Sequence, residues 1–167
     1  IRLFFVIIAL LAYFNCSHTR PEQDSPKTTN YSIIFNKYGN THFFGVGSGT
    51  GATEQLAIKI AKAKALGELA DNIKVTVMSR LELTTVSEES ETSFSMNETM
   101  KQKIISIGNA TVRSPEYEIL NLNGANGSYT AEVLAKKNKK DHFLTAARDL
   151  ELDGVDILFD KIMADTE

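Results

Sequence analysis

The longest apolar run of the chain lies close to its amino terminus. Leu3–Phe14 is apolar or aromatic throughout and follows the basic residue Arg2. A helix that crosses a membrane needs about 20 apolar residues, whereas the hydrophobic core of a signal peptide has about 7–15. The pattern therefore predicts a signal peptide over residues 1–15.

Farther along, the spacing of apolar residues changes several times. Tyr31–Phe35 and His42–Val46 are short apolar-aromatic runs on either side of a turn-like Tyr38-Gly39-Asn40. Apolar residues then recur three and four positions apart, which predicts a helix from Thr53 to about Asn72. Its expected buried stripe comprises Leu56, Ile60, Ala63, Leu66, Ala70 and Ile73. Lys74–Val86 alternates and is rich in β-branched residues, which predicts a strand.

The second half of the chain predicts a hairpin between two helices. A weaker amphipathic helix is expected over Met96–Ile107, and Tyr117–Leu122 and Tyr129–Ala135 flank a Gly/Asn loop as hairpin strands do. A long last helix should begin at about Lys139, with Asn138 as its N-cap. The order β-α-β-(α)-β-β-α predicts a two-layer α+β fold. Its mostly antiparallel sheet of about four strands would pack against the Ala-rich helix and the long C-terminal helix.

Charge and composition exclude several functional classes. The 167 residues include 21 acidic and 18 basic side chains, a net charge of −3. Nucleic-acid-binding domains are usually basic, so no nucleic-acid partner is expected. One Cys cannot form a disulfide within the chain, and three scattered His do not make a zinc site.

The single cysteine, Cys16, follows the apolar run directly. A cysteine at the end of a signal sequence is typical of lipidation in bacterial lipoproteins, although Tyr13-Phe14-Asn15 matches the lipobox only loosely. Residues 16–36 then read as the lipidated Cys and a flexible tether, because they are largely polar and carry Pro21 and Pro26. The folded domain is expected over residues 37–167. Several acyl chains on Cys16 would hold it firmly at a membrane.

A glycine run offers two interpretations. Gly47-Ser48-Gly49-Thr50-Gly51-Ala52 fits G-x-G-x-x-A between a strand and a helix, as a dinucleotide site requires. Alternatively, Gly45 and Gly47 are structural, because alternate glycines let a helix pack tightly on a strand. We favour the structural interpretation. The alternative is a small soluble protein that binds a nucleotide through the Gly45–Gly51 loop.

Other groupings of polar residues give little support for chemistry. Glu88, Glu89 and Glu91 lack the spacing of an EF-hand loop. The four lysines Lys136, Lys137, Lys139 and Lys140 are best explained as a solvated turn, with contact to a lipid headgroup or an acidic partner as the alternative. No combination of nucleophile, base and orienting group occurs. We therefore expect no catalytic residue, no cofactor, no metal and no small-molecule substrate.

Three segments together resemble the LPP-twenty lipoprotein family. They are Phe44-Gly45-Val46-Gly47, the Ala-rich helix leading into Ile73–Val77, and the Gly127–Ala135 strand that runs into a Lys-rich helix start. The resemblance covers about Phe43–Ile162 and implies an envelope lipoprotein, some relatives of which assist the assembly of flagellar basal structures. It implies no catalytic residue. The expected function is a non-enzymatic structural or interaction module at the outer membrane, anchored through Cys16, with an envelope protein partner or self-association.

Overall fold

The computed structural model describes residues 28–86 and 98–155, together with Phe159, Asp160 and Met163. The chain divides into two compact units, Ile1–Ile33 and Ile34–Glu167. In the first unit the described residues are 28–33, which form the start of helix α1 (Thr28–Tyr38). The predicted signal peptide, residues 1–15, and Cys16 lie outside the described residues. The predicted tether 16–36 is wrong for residues 28–36, which are helical.

The second unit is an α+β fold in which a three-stranded antiparallel sheet packs against a long helix. After the end of α1, its elements are β1 (His42–Gly51), α2 (Glu54–Val86), α3 (Glu98–Gly108), β2 (Glu116–Ala125), β3 (Ser128–Asn138) and α4 (Lys139–Asp149). The strand order β1-β3-β2 places β3 in the centre and makes β1 and β2 the edges. The described sheet thus has one strand fewer than expected.

The β2–β3 hairpin predicted from the sequence is confirmed. Ala125 pairs with Ser128, so the turn consists of Asn126 and Gly127 alone. Both residues have positive φ, 50° and 77°, as a type I′ turn requires. The strands are longer and the turn is shorter than the apolar pattern indicated.

The strand expected at Lys74–Val86 is wrong, because these residues continue α2 to a length of 33 residues. The expected buried stripe holds only at Ile73. Leu56, 45% exposed, and Ala63 are exposed, and the other three members are half-buried. The buried positions instead recur every four residues, at Ala57, Ala61, Ala65, Leu69, Ile73, Val77 and Leu81. Small residues occupy the first three because the helix lies there close against a strand.

Because of the four-residue spacing, α2 packs against the central strand at its beginning and against the main core farther along. Each step of four residues rotates about 40° beyond a full turn, so the buried stripe winds around the helix. Early in α2, Ala57 and Ala61 pack against the central strand at Ala131 and Val133. Later positions belong to the main core, together with residues of α3, α4 and the strands: Phe43, Ile104, Ile107, Ala135, Phe143, Ala146 and Ala147.

The described part of the last helix is shorter than expected. Its N-cap is confirmed, because Asn138 Oδ1 accepts a hydrogen bond of 3.1 Å from the Asp141 N–H. Helix α4 ends at Asp149, and Glu151 and Gly154 have φ values of 52° and 74°. These left-handed residues interrupt the helical path that the apolar stripe suggested. Helix α3, in contrast, agrees with its predicted range to within two residues.

Candidate functional site: the two sheet edges

The glycines of β1 face the backbone of α2. A Cβ atom added at Gly45 would lie 2.6 Å from the Ala65 carbonyl oxygen, and one added at Gly47 would lie 2.9 Å from Ala65 Cα. Both would also approach backbone nitrogen atoms of α2 even more closely. Such separations are far below normal contact distances, so only glycine permits this approach of helix to strand.

The same segment does not form the phosphate loop that the nucleotide alternative requires. Gly45–Gly51 belongs to a regular strand that pairs with β3 residue by residue. The amino end of α2 is also occupied from within the chain, because Thr53 Oγ1 accepts the Leu56 N–H at 3.2 Å. The geometry therefore gives these glycines a packing role against α2.

Helix α2 also covers the free edge of β1. Glu68 Oε2 accepts a hydrogen bond of 3.2 Å from the Val46 N–H, and Asn72 Nδ2 donates one of 2.8 Å to the Phe44 carbonyl. Unpaired backbone groups of an edge strand are what a further strand would bind. At β1, two of these positions are already occupied by helix side chains.

The other edge strand, β2, presents apolar side chains to solvent. Tyr117, Ile119 and Leu122 lie opposite the buried residues Ala135, Val133 and Ala131 of β3, and therefore share the sheet face that α2 covers. Their exposed fractions are nevertheless 38%, 50% and 36%. One helix is about 10 Å wide and spans about two strands, so the third strand lies beyond its cover. We call these three residues the β2 apolar row.

A β-bulge changes the alternation of β2 at its midpoint. Ile119 pairs with Val133, and Asn121 pairs with Glu132, the residue just before Val133 in β3. Two residues of β2 thus advance against one of β3, and Leu120 is the extra residue. Before the bulge the odd-numbered residues face α2, and after it the even-numbered residues do. The apolar row continues along one face because of this shift.

Polar side chains line the opposite face of β2. Lys136 Nζ lies 3.4 Å from a carboxylate oxygen of Glu116, and the Tyr38 hydroxyl donates to Glu118 Oε2 at 3.2 Å. Lys136 also donates to the Tyr38 hydroxyl at 3.3 Å and lies 4.4 Å from the centroid of its ring. Burial alone would lower the pKa of Lys136, but the contacts with Tyr38 and Glu116 outweigh burial and raise it. The cluster ties Tyr38, the last residue of α1, to β2 and β3.

The other lysines of the predicted solvated turn also make contacts. Lys137 is buried and forms an ion pair with Asp141, which lowers the pKa of that carboxyl group. Lys139 Nζ lies 5.9 Å from the centroid of the Phe43 ring, and Lys140 Nζ lies 5.9 Å from the centroid of the Phe159 ring. The sequence did not reveal these contacts, since the rings are distant in the chain.

The two described histidines lie in separate environments. His142 is 2% exposed, and because a carbonyl can only accept, its Nε2–H donates to the Ile107 carbonyl at 3.3 Å. Burial lowers the pKa of His142. His42 lies beside Thr41 and Tyr38, and burial followed by the charge of Lys136 lowers its pKa. Within the described ranges, no group of three or more His, Cys, Asp or Glu side chains is placed to hold a metal ion.

A shallow cleft of about 530 Å³ lies near the carboxyl ends of α3 and α4. Its walls include Asn109, Thr111 and the ion pair between Arg113 and Asp149, whose Nε–Oδ2 distance is 2.7 Å. The Ser106 hydroxyl, which also lines the cleft, donates a hydrogen bond of 2.9 Å to the Gln102 carbonyl. Among the helices that the structure describes, none combines the length and the apolar content needed to cross a membrane.

Comparison with known proteins finds distant structural likeness only. No protein-family model matches the chain, and no curated protein matches it. Among solved structures, the chain is similar to the secreted protein HP1454 from Helicobacter pylori, at 18% sequence identity and a TM-score of 0.31. The match covers 64% of this chain and 34% of that one, so the chain spans about a third of that protein's length. The resemblance to the LPP-twenty family stays a prediction.

Proposed function

We propose that this protein is a lipid-anchored envelope lipoprotein whose α+β unit acts as a structural or protein-interaction module without catalysis. The observation that carries the interaction role is the difference between the two sheet edges. Side chains of α2 occupy backbone groups of β1, whereas β2 carries the exposed apolar row. Exposed edge strands with apolar side chains are natural sites for binding another chain.

The proposed anchor rests on the amino-terminal sequence. Leu3–Phe14 has the length of a signal-peptide core, and Cys16 follows it. Acyl chains on Cys16 would concentrate the folded unit at the membrane surface, so that even a modest affinity of the β2 edge would be effective there. Ser17 differs from the Asp of inner-membrane retention signals, so we place the protein at the outer membrane. Assembly of outer-membrane or flagellar structures is the setting that the LPP-twenty resemblance favours.

Metabolic labelling with an alkyne fatty acid tests the anchor. The wild-type chain should incorporate label and fractionate with membranes, and Cys16→Ser should lose both properties. Ser17→Ala, a change at the next residue, is the matched control and should retain them. An unlabelled wild-type chain that keeps residues 1–15 would contradict the proposed anchor.

A photo-crosslinking amino acid placed in β2 tests the interaction role in cells. At Ile119, which is 50% exposed, it should give discrete crosslinked products. The control position is Leu144 of α4, which is 40% exposed and distant in the chain from the β2 edge. Absence of products at Ile119, or equal products at both positions, would remove the support for β2 as the interaction edge.

A further inference from the structure

We infer that β2 pairs antiparallel with β2 of a second copy of this chain, joining two three-stranded sheets into one of six strands. This inference rests on the proposed interaction role of the β2 edge, but it does not require the lipid anchor. The two-fold axis would run perpendicular to the sheet, so both α2 helices would lie on the same face.

The strand is long enough, and open enough, to pair along its whole length. It has ten residues, Glu116–Ala125, and nine of them are exposed. The competing edge, β1, donates and accepts hydrogen bonds with Glu68 and Asn72 of α2. Pairing at β1 would have to displace these side chains. At β2, Lys62 of α2 lies 5.2 Å from the centroid of the Tyr117 ring, a contact that uses no backbone group of the edge.

The bulge makes β2 complementary to itself. In an antiparallel ladder, residues opposite each other lie on the same face. If Glu116–Ala125 overlaps fully with its copy, Glu116 lies opposite Ala125. Each odd-numbered residue then lies opposite an even-numbered one. In a regular strand, odd- and even-numbered residues lie on opposite faces, so such a pairing would be mismatched. In β2 the extra residue Leu120 puts odd-numbered residues of the first half and even-numbered residues of the second half on the same face, so the faces match.

Full overlap consequently brings matching faces together, with Leu120 opposite Asn121 of the second copy at the centre. On the face that α2 covers, Ile119 meets Leu122 of the second copy, and Tyr117 meets Gly124, over which the Tyr129 ring of that copy lies. On the other face, Glu118 meets Asn123 of the second copy, so that a carboxylate lies opposite an amide that can donate to it. The apolar rows of the two copies become continuous between the two α2 helices.

Charge favours the same orientation. The acidic residues of β2, Glu116 and Glu118, both lie in its first half. Antiparallel pairing places them opposite the uncharged second half of the other copy. Parallel pairing would set carboxylates side by side, and like charges directly opposite are unfavourable. The second copy thus fits in one direction and one register.

Disulfide trapping tests this register. The full chain is prepared with Cys16→Ser, so that introduced cysteines are the only ones. Two double variants are made, Glu118→Cys with Asn123→Cys, and Ile119→Cys with Leu122→Cys. They form neighbouring pairs in the proposed ladder, and hydrogen-bonded and non-hydrogen-bonded pairs alternate, so one of the two is of the closer kind. Residues 118 and 123 of one strand are about 17 Å apart, which no disulfide within the chain can bridge.

We expect a reducible dimer from at least one double variant and much less from each single variant. Ile119→Lys should lower the dimer fraction in sedimentation experiments, whereas Leu144→Lys, at a site of similar exposure, should not. Unfolding curves confirm that each variant is folded. The inference is overturned if both folded double variants stay monomeric, or if single variants crosslink as well as double ones. Crosslinks in cells from Ile119 to a different protein, with a purified chain that remains monomeric, would overturn self-pairing and leave the proposed interaction role intact.

Discussion

Replacing Gly47 by alanine measures how tightly β1 and α2 are packed. The added methyl group would meet the backbone of Ala61 and Ala65, with Ala65 Cα at 2.9 Å. These atoms belong to hydrogen-bonded helix and cannot rotate aside as a flexible side chain can. The strand is equally constrained, since Gly47 lies opposite Val133 of the central strand. To admit the methyl group, α2 has to move away from the sheet.

The size of the effect follows from that obstruction. Inserting one carbon atom into a packed interior costs typically about 1–3 kcal/mol, and more where the surroundings cannot adjust. We expect Gly47→Ala to lower the free energy of unfolding by about 3 kcal/mol. In a chain of 167 residues, each kcal/mol lowers Tm by about 2–4 °C, so Tm should fall by about 6–12 °C. Gly49→Ala should be similar, because its Cβ would lie 2.5 Å from the Ala61 nitrogen.

Urea unfolding followed by circular dichroism is the assay, and Gly67→Ala is the matched control. A Cβ at Gly67, on the exposed side of α2, meets nothing within 4 Å. Alanine is favoured over glycine inside a helix by about 0.8–1.0 kcal/mol, so this variant should be more stable than wild type. The same chemical change thus has opposite signs at two sites. If Gly47→Ala were within about 0.5 kcal/mol of wild type, the change of a typical surface site, the close packing of β1 on α2 would be refuted.

Three further measurements test other contacts. Because burial lowers the pKa of His142 below the unfolded value of 6.5, its neutral form stabilises the fold above that pH. Stability should be lost as pH falls below 6.5, by at most about 1.4 kcal/mol per pH unit, and urea titrations should show a smaller loss in His142→Gln, which can still donate to Ile107. Asn72→Ala removes the bond to the Phe44 carbonyl and should cost about 1 kcal/mol in the same assay. A Cβ at Gly127 would meet nothing within 4 Å, but the φ of this residue is 77°. Gly127→Ala should therefore lower the free energy of unfolding by about 1–2 kcal/mol through backbone strain alone, which a lower Tm would show.

Sequence patterns predicted the elements whose signals are local. The Asn138 cap and the β2–β3 hairpin each depend on a few neighbouring residues, and both hold in the structure, although the turn is Asn126-Gly127 and not the whole Gly/Asn loop. The pattern at Lys74–Val86 misled because Val77 and Leu81 suit an alternating strand and a four-residue helical stripe equally well. The choice is decided by Ile104 and Ile107 of α3, which pack with these positions although they are distant in the chain. The spacing of the large apolar residues also pointed to a different face of the helix from Ala57, Ala61 and Ala65, whose backbone lies against the glycines.

The candidate site shows the same division between local and non-local information. The phase change in β2 can be read from Glu-Tyr-Glu-Ile followed by Leu-Asn-Leu-Asn, where the apolar residues move from odd to even positions. What cannot be read is that β2 is an edge. That depends on β3 lying between β1 and β2, and on α2 being too narrow to cover all three strands. Once the strand order is known, the phase change ceases to be an irregularity of one strand. It keeps Tyr117, Ile119 and Leu122 on one face, and it lets an edge with carboxylates in one half and amides in the other match its own copy.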